Sequence, residues 1–319
     1  MNAKFKALTQ YPLKDKIKRQ HLRLPVSLFD IVVFCLLILL AFVFIYPFLF
    51  MLVNSFKSYN DIINITVKWL PREFTFSNYT IAYNALQVQK TFINSLFVTV
   101  FATMGHVLSC SFIGYGFARF RFPLRRVLFS IVILSFLIPV QTLIIPMYIT
   151  YSNLNMLETY LPLIFPTFLG FGLKGGLFVF LFRQYFIRIP KSLDEAASID
   201  GCGPLRVFFR IALPSSGATA IVCIVLSIVW HWNDFYEPGI YISSFDDMLL
   251  PQILGSLYHL LNKLSVDPNM EVAAEGAKIM YHKGIVMAGT VMAILPPFIA
   301  YLFLQKRFIE GVERTGLVE

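Results

Sequence analysis

Six stretches of this chain, at about 29–53, 92–116, 127–150, 160–182, 215–237 and 284–304, run for twenty or more residues with almost no charge. A helix rises 1.5 Å per residue, so about twenty apolar residues cross the roughly 30 Å hydrocarbon core of a bilayer. Inside that core a helix is one of the few structures that satisfies its own backbone polar groups. The repetition therefore predicts an all-α membrane protein with six transmembrane helices. Composition agrees: 57% hydrophobic and 14% charged residues over 319 positions, with mean hydropathy +0.69, exclude an ordinary soluble domain of this length.

The positive charge sets the orientation. With the N-terminus inside, nineteen of the 27 Lys and Arg fall on inner faces, seven of them in residues 1–28. Cytoplasmic loops carry such an excess, so both termini are expected in the cytoplasm, with the chain in the plasma membrane. The net charge of +9 follows from this bias, because the cations sit beside span ends and not on a basic face interleaved with aromatics. Nucleic acid is excluded as a partner on that ground, and the basic N-terminal run is expected on anionic lipid headgroups. The first stretch is too long for a cleaved leader and has no small-residue cleavage site before Asn54. Cys35, Cys110, Cys202 and Cys223 suggest no disulfide framework, and His21, His106, His231, His259 and His282 show no ligand-like spacing. No metal site, catalytic residue or cofactor of this chain's own is expected.

The loop between the fourth and fifth stretches carries the most local information. Ser192-Leu193-Asp194-Glu195 reads as a capping box that starts a helix, with two acids at the positive end of its dipole. Gly201 can take the left-handed conformation that ends it. Pro204 suits the first turn of a second helix, in which Leu205, Phe208, Phe209 and Ala212 fall on roughly one face, and Pro214 opens the next apolar run. The prediction is helix, glycine turn, helix.

Glu195-Ala196-Ala197, then Gly201, then Ile211, Leu213 and Pro214 fill the pattern E-A-A-x3-G-x9-I-x-L-P, with Asp200 before the glycine. This resembles the EAA loop of permease subunits in ATP-binding-cassette importers. The likeness widens to about residues 29–311 and to the carbohydrate-uptake branch of type I importers, which contains the maltose permease subunits. It is carried by Phe92-Ile93-Asn94-Ser95, Gly114-Tyr115-Gly116-Phe117-Ala118-Arg119-Phe120, Ile138-Pro139-Val140-Gln141 and Ile145-Pro146. Trp232-Asn233-Asp234-Phe235, Ala293-Ile294-Leu295-Pro296 and Gln305-Lys306-Arg307-Phe308 complete it. The resemblance implies a six-helix permease domain over 29–311 with a coupling loop at 190–214, flanked by a basic segment 1–28 and a tail 312–319. It also implies a second permease subunit, two ATPase subunits that hold ATP and magnesium, and an extracytoplasmic binding protein that delivers the sugar. Glu195, Ala196, Ala197, Asp200, Gly201, Ile211, Leu213 and Pro214 would then meet an ATPase. A polyol or a phosphodiester is the alternative cargo. An ion-coupled secondary transporter fits less well, since the spans carry neither midplane carboxylates nor internal repeats.

Two departures from that family stand out. The tail Gly311–Glu319 lacks the usual basic ending, and the external segment 241–283 is long. Within it Glu271-Val272-Ala273-Ala274-Glu275-Gly276 repeats the look of the coupling motif on the outer side, where a surface helix touching the binding protein is expected.

Three features bear on a substrate path. Gly170-Phe171-Gly172-Leu173-Lys174-Gly175 matches a dinucleotide fingerprint but lies in an apolar stretch without a strand–helix–strand unit, so that reading is rejected. Gly172-x-x-x-Gly176 fits either close helix packing or local unwinding beside a cavity. Lys174, a cation within a stretch that otherwise lacks them, faces a cavity, snorkels, or pairs; on the path it would favour an anionic sugar such as a uronate. Trp232, Asn233 and Asp234 offer an aromatic face, an amide and a carboxylate suited to a sugar ring, or else belong to an interfacial aromatic belt.

Overall fold

A computed structural model describes residues 28–172, 174–257 and 283–315. Segment 1–27, the tail beyond Thr315 and the repeat-like stretch Glu271–Gly276 lie outside the described residues. The described residues are helical, with one isolated antiparallel bridge between Lys57 and Phe74.

Helix α1, Leu28–Ser55, spans the boundary between two compact units that meet after Leu49. In the first unit it exposes Phe29, Phe34, Leu37 and Phe44, which suits a surface solvated by lipid. In the second unit, the end of α1 leads into the short helices α2, Tyr59–Ile63, and α3, Ser77–Ala85. The loop between them is tied by Lys57, whose buried ammonium donates to the carbonyls of Val67 at 3.0 Å and Lys68 at 2.9 Å.

Helix α4, Val88–Arg119, is the central post of the second unit. It packs against α7, Leu161–Phe168, α8, Gly175–Arg188, and α12, Gly217–Asn233. Lipid tails are as apolar as leucine, so such helices associate through close backbone approach and shared hydrogen bonds. Gly105 and Gly114 supply the approach. A β-carbon at Gly105 would lie 2.2 Å from Thr167 Oγ1, and one at Gly114 would lie 2.9 Å from the backbone nitrogen of Arg183. Hydrogen bonds join α4 to α12: Thr103 donates to Ser227 at 3.1 Å, His106 Nδ1 lies 3.3 Å from the same hydroxyl, and His231 Nε2 lies 3.3 Å from His106 Nδ1. The two imidazoles are 125 residues apart in sequence yet side by side. Among the described residues no three side chains come together to hold a metal ion, and all four cysteines are free thiols.

Three described helices cross a membrane unbroken by length and composition: α1, α4 and the last helix, Lys283–Thr315. The remaining apolar stretches are broken. Helices α5, Arg125–Leu137, and α6, Val140–Asn153, meet at 100° across Ile138-Pro139. The fourth stretch, expected as one helix over 160–182, is α7 and α8 parted by residues 169–174, where Gly170, Gly172 and Lys174 all have positive φ. Pro166 inside α7 and the glycines that follow explain the break, since neither residue type holds a helix. Gly172-x-x-x-Gly176 thus serves both readings at once: Gly172 sits in the unwound part, and Gly176 packs so closely that a β-carbon would lie 2.6 Å from the Val132 carbonyl oxygen.

The coupling loop forms α9, Lys191–Ile199, α10, Pro204–Val207, a π-helical turn Phe208–Ala212, and α11, Leu213–Ser215. This end of the unit is closed by Tyr115, Phe182, Phe186, Phe208, Ala212 and Val222, a buried cluster drawn from α4, α8, the π turn and α12. The other end holds α13, Tyr236–Tyr241, α14, Leu250–Gly255, and α15, Lys283–Thr315, with Leu86, Trp232, Leu250, Ile253 and Ile285 packed together.

Candidate coupling surface and transmembrane cavity

Helix α9 starts one residue before the expected capping box. Pro190 precedes its first residue, Leu193 N–H donates to the Pro190 carbonyl at 3.3 Å, and Ser192 lies inside the helix. The capping box is therefore corrected: the fixed φ of Pro190 sets the entry, and Asp194 reaches away to Arg119 at the end of α4. The C-terminal end forms as the sequence predicts. Gly201 has φ +75°, its N–H donates to Ser198 O at 3.1 Å, and the next N–H, of Cys202, reaches back to Ala197 O at 2.9 Å. These two bonds make a Schellman motif around a left-handed residue. Pro204 opens α10 as expected.

Ala197 is buried against the bundle, while Glu195, Ala196, Asp200 and Gly201 are exposed. The second helix departs from expectation. Val207, Phe208 and Ala212 are buried, whereas Leu205 and Phe209 point out. Leu205 and Phe209, four apart, share the outward face, and Phe208 and Ala212, four apart, the inward one; from Phe208 on the turn is π-helical, with Leu213 N–H on Phe208 O five residues back. Ile211 and Leu213 are half-buried behind it, and Pro214 is exposed in α11. Leu193, Ile199 at 86% exposure, Leu205 and Phe209 thus form an outward apolar set, with Glu195, Asp200, Arg206 and Arg210 around it.

Arg119 Nε lies 3.0 Å from Asp194 Oδ2, with the Arg119 side chain only 7% exposed. The angle is outside hydrogen-bond range, so that buried N–H has no hydrogen-bond acceptor and the contact is a Coulombic one. It joins the end of α4 directly to α9. On the other side of the loop the Tyr185 hydroxyl of α8 bonds to the Ser215 carbonyl.

A cavity of about 460 Å³ opens where three chain breaks converge: the α5–α6 corner, the unwound 170–174 segment and the start of α13. Lys174, Asp234, Glu237, Gln141, Phe136 and Phe171 are among its walls. Lys174 has φ +62° and holds its ammonium 5.1 Å from the centre of the Phe136 ring. Asp234 Oδ1 accepts from Tyr236 N–H at 3.0 Å and Glu237 N–H at 3.3 Å, capping α13. Two of the sequence-selected residues therefore share the cavity, and two stand elsewhere. Trp232 is buried, with its indole N–H on the Ala293 carbonyl at 2.9 Å and its ring edge-on to Phe92. Asn233 is exposed and bonds back to Val229 O at 2.7 Å. Glu237, at the end of the same polar-aromatic cluster, and Gln141, in the Ile138-Pro139-Val140-Gln141 motif, line the cavity as well, although neither was expected on the substrate path. Their signal was position beside a break, Pro139 for one and the end of an apolar stretch for the other.

The loops beyond the cavity are tied by side chains on α4 and before α7. Asn94 donates to the carbonyls of Asp246 and Met248, each at 3.2 Å, and Ser95 accepts from Leu250 N–H at 2.8 Å. Lys90 pairs with Asp246. Glu158 Oε2 accepts from Ser243 N–H at 2.8 Å and Ser244 N–H at 3.0 Å. The backbone N–H groups of Ser244 and Ser243 stabilise the ionised form and hold this carboxyl below its ordinary value.

Comparison with known proteins gives the arrangement its context. A family described as the binding-protein-dependent transport system inner membrane component matches residues 111–314. A probable starch degradation products transport system permease protein, AmyC of Thermoanaerobacterium thermosulfurigenes, is 32% identical over 86% of this chain and 92% of its own. The arabinooligosaccharides transport system permease protein AraQ of Bacillus subtilis is 29% identical over 91% of this chain and 96% of its own. In fold, the chain is similar to one in the crystal structure of a bacterial ABC transporter involved in the import of the acidic polysaccharide alginate. The TM-score is 0.72 and the identity 24%, over 88% of this chain and 96% of that one. With the family pattern running from the last turns of α4 through the coupling loop and into α15, this chain belongs to the inner-membrane permease components of binding-protein-dependent transport systems.

Proposed function

We propose that this chain is one of two permease subunits of an ATP-driven importer, and that its cargo is a sugar, most simply an oligosaccharide. The observation that carries the coupling half of this reading is the α9–Gly201–α10 element. It exposes Leu193, Ile199, Leu205 and Phe209 among charges at one end of the bundle while Ala197, Val207 and Phe208 anchor it to the other helices. An apolar centre with a charged rim is the composition of a surface that meets another protein. The partner is an ATPase, with one copy under each permease; magnesium and ATP bind there, and this chain is a transport subunit without catalytic residues. Closure of the ATPases would move α9, and the Arg119–Asp194 contact passes the movement to α4. The three unbroken helices and two bent pairs make up to five crossings, we take the α7–α8 stretch as the sixth, and the lysine and arginine bias supports α9 and both termini on the cytoplasmic side. Cargo of the sugar class is supported by the names of the relatives, which transport starch degradation products and arabinooligosaccharides.

The test is purification of the tagged chain from its native membrane in mild detergent, with copurifying proteins identified by mass spectrometry. An ATPase and a second permease should accompany it. Gly201→Val should cost about 1–2 kcal/mol of loop stability by placing a β-branched residue in a left-handed conformation. Nothing lies within 4 Å of a β-carbon there, so the cost is one of backbone alone. That variant should reach the membrane in normal amount yet lose the ATPase. Recovery of the chain alone, or full transport by Gly201→Val, would refute the reading.

A further inference from the structure

We infer that the cavity beside Lys174 is a sugar subsite belonging to this chain itself, built to take the hydroxyl groups of a neutral ring and to disfavour a uronate. The inference rests on the importer reading above and goes beyond it in naming the site and its selectivity. Its volume of about 460 Å³ falls in the range of roughly 300–1,000 Å³ usual for small-molecule sites.

Three groups in the walls have hydrogen-bonding capacity that the protein does not use. Glu237 is 7% exposed, and its carboxyl group bonds to no described residue. Asp234 spends Oδ1 on the cap of α13, and the described residues leave Oδ2 without a donor. Lys174 forms no ion pair with either acid among the described residues and rests against the Phe136 ring. Of the three, Glu237 is buried, Asp234 half-buried and Lys174 exposed to the cavity, so a ligand gains most by giving Glu237 a partner and gains further by meeting the other two. A sugar hydroxyl donates to a carboxylate and accepts from an ammonium, and adjacent hydroxyls on one ring do both. A uronate carboxylate would satisfy Lys174 alone and would face two acids. With both acids ionised the three groups sum to −1 and with one protonated to zero, so the lining attracts no anion as long as one of the two carboxyls keeps its charge. An amine would satisfy the acids and oppose Lys174. Phe136 and Phe171 give apolar faces for the C–H side of a ring, and the backbone of Gly170 and Gly172, which is not helical, lines the same wall. The lone cation that in sequence argues for an anionic sugar shares its cavity, in the fold, with two carboxyl groups.

The test uses the assembled complex with Gln141→Cys as a reporter in the cavity wall, in a Cys35→Ser, Cys202→Ser background. The rate of modification by a small maleimide is measured alone and with millimolar arabinotriose, maltotriose or trigalacturonate. At least one neutral trisaccharide should slow labelling about fivefold, the protection expected when it stands at about four times its Kd, and trigalacturonate should not. Glu237→Lys should reverse the order. Ser135→Cys, on the same wall, serves if Gln141→Cys does not assemble. Protection by trigalacturonate equal to or above that of the neutral sugars overturns the inference, as does protection by none of the three. Either result leaves the importer reading standing if the ATPase still copurifies, whereas loss of the ATPase from the parent protein would remove the importer reading first.

Discussion

At the scale of single residues, the chain spends its few external charges on loops. Glu158 is exposed, sits at φ +58°, and still fixes two backbone N–H groups of the segment after α13. Those donors depress its carboxyl below the ordinary 4.5, so the folded state holds its proton less tightly than the unfolded one. The stabilisation is present above the unfolded value and is lost as pH falls through the lower folded value. Amide protection at Ser243 and Ser244 should therefore be constant from pH 7 to pH 5 and fall on further acidification. Glu158→Gln should show low protection throughout, with no acid step. Hydrogen exchange read at those two amides checks this; an unchanged acid step in the Gln variant would place the titrating group elsewhere. Residue-level signals that act locally were legible in the sequence. Gly201 and Pro204 state their own backbone conformations, and both are found as read. Signals whose partner is distant were not. Ser192 is not the cap because the helix already starts at Lys191 behind Pro190, Asp194 pairs with Arg119, 75 positions away, and His106 and His231 meet only once α4 and α12 pack.

At the scale of elements, hydropathy located every apolar stretch but carried no information about φ, so it did not show that the fourth is cut at 169–174 or that Pro139 turns the third through 100°. The family-like motifs gain physical roles in the packed elements. Asn94 and Ser95 hold the loop before α14, Gly114 lets α4 approach α8, and Arg119 links α4 to α9. The last contact is a positioning one, and its prediction belongs to the two helices jointly. Arg119→Met should leave the fold and basal ATP hydrolysis of the complex in place while lowering the stimulation produced by the binding protein. The exchanged pair, Arg119→Asp with Asp194→Arg, should recover part of it. A double-mutant cycle on the stimulated rate should give a coupling of about 0.5–3 kcal/mol, the range for side chains in contact. Strictly additive effects of the two single substitutions would show that α9 moves α4 by another route.

At the scale of the whole molecule, the reading depends on α9 facing the cytoplasm while the cavity and the Glu158 loop lie toward the other side. The chain carries its own probe for this. Cys202 follows the left-handed glycine, is half-buried, and lies in the coupling loop, whereas Cys110 and Cys223 are fully buried in the bundle and Cys35, exposed on α1, is replaced by serine in every protein of the experiment. An impermeant maleimide applied to inverted vesicles should label Cys202, and the same reagent applied to right-side-out vesicles should not. A Cys202→Ser, Ser244→Cys protein should give the opposite pattern, since Ser244 sits in the segment that Glu158 ties down. The assembled complex should label more slowly at Cys202 than the isolated chain, because an ATPase seated on Leu193, Ile199 and Leu205 would cover the turn that carries it. Labelling of Cys202 from the outer face would invert the molecule and disconnect the coupling surface from any cytoplasmic ATPase. Correct sidedness with no shielding would keep the orientation and move the ATPase contact away from the α9–α10 turn. Sidedness and shielding together tie the charge bias of the sequence, the glycine turn of one element and the partner of the whole assembly to a single thiol.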